Sequence, residues 1–169
     1  MTFVVPFDGS KLAETALVRA REFSDVLEEE SVVAVVVVPN ENTEYARDRG
    51  WLRPEEPFET DSVVERLHKQ VMALAPSADF RHLAVDRYAP LGTIASAVRD
   101  FANETGASMV FIGSENAGHM VTGISSVGSN VATEDAYDVV IIRNKTPSKI
   151  AAIRDSSPYK PPKSDFYIS

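Results

Sequence analysis

Residues 31–38 read SVVAVVVV. Six of the eight are valine, and no polar residue interrupts the run after Ser31. A strand with one wet face alternates apolar and polar residues, so this one is expected to be buried on both faces. Strands of that kind lie inside parallel sheets that carry helices above and below. The run stops at Pro39, far short of the ~20 apolar residues that a membrane-crossing helix needs.

Working outward, the rest of the chain alternates strand and helix. Thr2–Phe7 is a short apolar strand closed by the turn Asp8-Gly9-Ser10. Lys11–Leu27 carries Leu12, Ala16, Leu17, Ala20 and Phe23 on one helical face. Pro39–Pro57 is polar, holds Gly50 and several prolines, and reads as a long loop that Trp51 pins down. Ser62–Ala75 has helical periodicity and opens with Ser62-Val63-Val64-Glu65, the form of a capping box. Phe80–Val85 is a weaker strand. Leu91–Thr105 is a helix with Ile94, Ala97, Val98 and Phe101 inward and Gly106 at its end. Ser108–Ile112 is a strand, Ser129–Ala136 a short helix, and Val139–Arg143 the last strand.

This alternation predicts a single α/β domain over residues 1–144, with an open parallel five-stranded sheet and helices on both faces. Right-handed crossovers leave few topologies. The Rossmann-like order 3-2-1-4-5 is the expectation adopted. Its topological switch point lies between the first and fourth strands, and ligands of such sheets bind outside the strands' carboxyl ends there. Asp8-Gly9-Ser10 and Gly113-Ser114 stand at those two ends.

Composition narrows the function classes. The chain has 17 basic and 25 acidic residues and a net charge of −8. Nucleic acid and anionic membrane both require basic surface, so neither is an expected partner. The acidic, lysine-poor surface fits either ordinary solubility or a halophilic cytosol. There are no cysteines, which removes disulfides, thiolate nucleophiles and cysteine-bound zinc. The three histidines, His68, His82 and His119, lack paired spacing, so no metal site is expected. The opening MTFVVPFDGS lacks the pattern of a secretory signal. A cytoplasmic location is expected.

The segment 113–130, GSENAGHMVTGISSVGSN, holds four of the eight glycines: Gly113, Gly118, Gly123 and Gly128. Glycine lets backbone N–H groups approach an anion, and a following helix N-terminus favours negative charge. Gly128-Ser129-Asn130 ahead of Val131–Ala136 has that form, and a phosphate is a fitting guest. The segment is not a Walker A loop. Gly123 and Gly128 have the spacing, but Ser129 stands where the lysine belongs. The dinucleotide fingerprint GxGxxG is absent.

The chain resembles the universal stress protein family. The resemblance rests on Val5-Pro6-Phe7-Asp8-Gly9-Ser10, on Gly118 followed after nine residues by Gly128-Ser129, and on Tyr137-Asp138-Val139-Val140-Ile141-Ile142-Arg143. It spans about residues 1–144. The family motif is written G-x2-G-x9-G-[ST]. Here four residues, Ser114 to Ala117, separate Gly113 from Gly118, Glu115 adds a negative charge, Ser108 replaces an Asp before the fourth strand, and Asn130 follows Gly128-Ser129. The resemblance implies ATP or another adenine nucleotide, with Mg²⁺ as its companion ion. By position it implies a nucleotide site of Asp8, Val38, Gly113, Gly118, Gly128, Ser129 and Asn130. Val38 would border the adenine, and Asp8 would lie near the adenosine. The resemblance also implies a homodimer through the last strand, Val139–Arg143, and an unidentified regulatory protein partner. Residues 145–169 lie beyond the family's usual end and form a C-terminal extension, either disordered or docked on the partner subunit through Ile150, Ile153, Tyr159 and Phe166.

Each of these residues also has an ordinary reading. Asp8 suits a helix N-cap or an Asx turn. Val38 suits a core strand, His119 an exposed loop, Arg87 and Tyr88 either a crevice mouth or a plain connection, and Glu28-Glu29-Glu30 a solvated turn. Three functions remain open: a nucleotide-binding regulatory module of the stress response, a slow ATPase, and a ligand-free interaction protein. The chain has no evident catalytic residue.

Overall fold

The computed structural model describes residues 1–28, 31–113 and 137–144. In chain order its elements are β1 (Thr2–Pro6), α1 (Lys11–Leu27), β2 (Ser31–Pro39), α2 (Thr43–Asp48), α3 (Thr60–Leu74), β3 (Asp79–Val85), α4 (Leu91–Glu104), β4 (Ala107–Gly113) and β5 (Asp138–Ile142). The five strands form one sheet in the order β3-β2-β1-β4-β5, and every neighbouring pair is parallel. The switch point therefore lies between β1 and β4, as the sequence predicts.

The valine run explains the layering. Along β2 successive side chains point to opposite faces. Val32, Ala34, Val36 and Val38 join the core beneath α1 and α3, while Val35 and Val37 join the core beneath α4. All are buried. Burying each such valine contributes about 1.5–3 kcal/mol. β3 lies at one edge, and its half-buried Phe80, Leu83 and Val85 alternate with exposed residues, which is why it reads as the weaker strand. β5 is the last strand at the other end and covers Asp138–Ile142, one residue earlier at each end than expected. No helix among the described residues is long and apolar enough to cross a membrane.

Three local expectations are corrected. The segment 39–57 is not all loop: α2 occupies Thr43–Asp48, capped by the Asn42 side chain, which accepts from the Tyr45 amide at 3.0 Å. Six residues are too few to show a helical period. The capping box at Ser62 is absent, because α3 begins at Thr60 with Glu59 at its N-cap and no side-chain cap bond. Ser62 instead lies in the first turn, its hydroxyl 3.3 Å from a Glu59 carboxylate oxygen. Finally, the N-cap of α1 is Ser10, not Asp8; the Ser10 hydroxyl accepts from the Ala13 amide. The expected helix Ser129–Ala136 and the extension 145–169 lie outside the described residues.

Gly113 ends β4 against the first turn of α1. A Cβ there would meet the Leu12 Cβ at 2.8 Å. The close strand–helix approach thus requires glycine. Gly113→Ala is expected to cost about 1–3 kcal/mol through overpacking. Gly92, in α4, has nothing within 4 Å of its would-be Cβ, so Gly92→Ala is expected to raise stability by about 0.5–1 kcal/mol. Urea unfolding of the two variants checks both signs; a Gly113→Ala protein as stable as the parent would contradict the packing argument.

Candidate functional site

The turn after β1 is held from several sides. Asp8 accepts from the Ser10 amide through Oδ1 at 3.0 Å, an Asx turn. Gly9 has φ +82°, a conformation that side-chain-bearing residues rarely adopt. The Gly9 carbonyl accepts from Gln70 Nε2 at 3.2 Å, and the same amide donates to Glu14 Oε2 at 3.2 Å. The Asp8 carbonyl accepts from the Trp51 indole Nε1 at 2.8 Å. Trp51 is 4% exposed, so the indole pays for its polar atom by this bond.

Trp51 is fixed in turn by its own neighbours. Its amide donates to the Ala46 carbonyl at 2.8 Å, which ties it to α2. Its carbonyl accepts from Arg66 Nη1 at 2.8 Å. Arg66 also grips the Glu56 carboxylate with two bonds, Nη1 to Oε1 at 2.8 Å and Nη2 to Oε2 at 2.5 Å. The Arg66 bonds hold the Glu56 carboxyl below the usual carboxylate range, assisted by the Arg53 amide. The segment between β2 and α3 is thereby latched to the end of β1.

A cavity lies on the α4 face of the sheet, at the carboxyl end of β1. Its volume is about 70 Å³, and it opens to solvent. Pro6, Val35, Val37 and Ile112 form its sheet wall, and Leu91 and Ile94 its α4 wall. Asp8, Tyr45 and Arg49 bring polar atoms to it. The Arg49 guanidinium lies over the Tyr45 ring, 3.6 Å from its centroid. Arg49 Nε is buried and has no hydrogen-bond partner among the described residues. Tyr45 meets the Trp51 ring edge-on at 5.6 Å. Burial raises the Tyr45 hydroxyl above its ordinary pKa; Arg49 opposes this and Asp8 adds to it. The cavity thus has apolar walls with one carboxylate and one guanidinium, at the switch point of the sheet, which suits a flat ring bearing polar edges.

Of the residues singled out in the sequence, Asp8 lines this cavity. The Val38 side chain does not: it is buried in the core beneath α1 and α3, on the far face, and Val35 and Val37 occupy the cavity wall. Any contact from position 38 to this cavity would run through its backbone. Gly113 closes β4 beside the cavity residue Ile112 and packs on α1. Gly118, Gly128, Ser129, Asn130 and His119 lie outside the described residues. Arg87 belongs to a separate shallow cavity with Asn40, Glu41 and Asp86. Tyr45 and Arg49 escaped the sequence reading because they sit on and just after the unrecognised α2, Arg49 as its C-cap; the Asn42 cap was the available signal.

A family model described as the universal stress protein family matches residues 1–143. The chain belongs to the universal stress protein family. Among solved structures, a universal stress protein in complex with cAMP is 22% identical, with 85% of this chain and 97% of that one covered and a TM-score of 0.47. A universal stress protein from Archaeoglobus fulgidus is 22% identical over 85% and 98% of the two chains, TM-score 0.47. A third is a hypothetical protein whose biochemical function was assigned from its structure, 19% identical over 86% and 97%, TM-score 0.48. No curated protein matches the chain.

That latch has a pH signature. The Glu56 carboxyl is lowered from 4.5 in the folded chain. Its contribution is therefore present above the unfolded value and lost as pH falls through the folded one. Glu56→Gln is expected to flatten the acid side of the stability profile, where pH falls below the ordinary carboxylate value, relative to the parent. Parallel thermal-midpoint profiles for the two proteins would remove the role assigned to this pair.

Proposed function

We propose that this universal stress protein is a regulatory module of the stress response that binds an adenine nucleotide, ATP by the resemblance. The observation that carries the reading is the apolar cavity at the β1/β4 switch point with the Asp8 carboxylate beside it. The base would lie against Val35, Val37 and Ile112. Asp8, an acceptor held by the turn, would take a ribose hydroxyl. The phosphates would extend toward the chain after Gly113, where the family pattern assigns Gly118, Gly128, Ser129 and Asn130, with Mg²⁺ as counter-ion. Position 38 contributes through its backbone. The unit of action is a homodimer paired through the β5 region, Val139–Arg143, that presents its nucleotide state to a regulatory protein partner. In this reading residues 1–144 make the domain and 145–169 an extension.

One observation favours a second reading, a ligand-free interaction protein: packing against Leu12 already explains Gly113 without a phosphate.

Calorimetric titration of nucleotide-free protein with ATP, ADP and AMP tests the proposal. Saturable binding of at least one is expected. Asp8→Asn keeps the Oδ1 that accepts from the Ser10 amide and removes the charge, and is expected to weaken binding about 10-fold or more. No heat with any of the three nucleotides would favour the ligand-free reading instead.

A further inference from the structure

We propose that Arg49 reads the base edge in this cavity, and that the site accepts 6-oxopurine nucleotides as well as adenine nucleotides, with Arg49 setting the preference. This rests on the nucleotide reading above. Arg49 supplies the one cation among the described cavity residues, and its buried Nε–H has no acceptor there. Buried donors are nearly always paired, so an unmade one at a cavity wall calls for a partner from outside the chain. The guanidinium cannot shed its charge to relieve the deficit.

The mounting of this group favours recognition over flexibility. Tyr45 backs the guanidinium, Trp51 meets Tyr45 edge-on, and Trp51 is itself bonded to Asp8, Ala46 and Arg66. A group already oriented loses little freedom when a ligand arrives. Arginine presents parallel N–H donors. A guanine edge offers two adjacent acceptors, O6 and N7, to such a fork, whereas adenine offers N7 beside an amino donor.

Titration of the parent, Arg49→Met and Arg49→Lys with AMP and with GMP decides the matter. The parent is expected to bind both. Arg49→Met should weaken GMP about 10-fold more than AMP, and Arg49→Lys, which keeps one charged donor group, should fall between. The ratio of the two affinities within one variant cancels any general loss of folded protein, which thermal midpoints also monitor. Equal weakening of both nucleotides, or none, would overturn the role of Arg49 and leave the nucleotide reading standing. So would a parent that binds AMP and not GMP. A parent that binds neither would overturn both.

Discussion

The bond from the Trp51 indole to the Asp8 carbonyl, 2.8 Å long, joins the two parts of the molecule that bring polar groups to the cavity. One part is the carboxyl end of β1, where the sheet order reverses and a crevice must open. The other is the segment between β2 and α3, which carries Tyr45 and Arg49. A parallel sheet alone supplies a floor of aliphatic side chains. It becomes a site with polar edges when that segment is drawn over the end of β1 and kept there.

The hold is cooperative. Trp51 is positioned by α2 through the Ala46 carbonyl and by α3 through Arg66, and Arg66 is itself oriented by Glu56. Gln70, also on α3, bonds the neighbouring Gly9 carbonyl. Removing a donor in such a network leaves buried acceptors behind, and the penalty exceeds the modest net worth of a single bond. The same arrangement places an arginine stacked on a tyrosine at the cavity wall.

Much of this was legible in the sequence. The unbroken valines of β2 called for a sheet covered on both faces, and the short apolar runs around them, spaced by amphipathic helices, fitted the order 3-2-1-4-5. Trp51 was recognisable as an anchor, since a lone tryptophan in a polar stretch has reason to be buried. The α2 helix was not legible, because six residues cannot display a 3.6-residue period and Tyr45 and Arg49 look like ordinary loop residues. Val38 was assigned by position along β2, but the face it takes follows from strand parity, which places it with Val36 rather than with Val35 and Val37. Gly113 was read through a phosphate loop, while its nearest constraint is the Leu12 side chain, a contact between elements a hundred residues apart in sequence that no local pattern reveals.

The most direct measurement is amide hydrogen exchange in Trp51→Phe, a change that keeps an aromatic ring and deletes the indole donor. If the latch holds the end of β1, the Ser10 amide, which bonds the Asp8 side chain, will exchange about 5-fold faster or more, while amides of β2 change less. Equal protection of Ser10 in the two proteins would contradict the account.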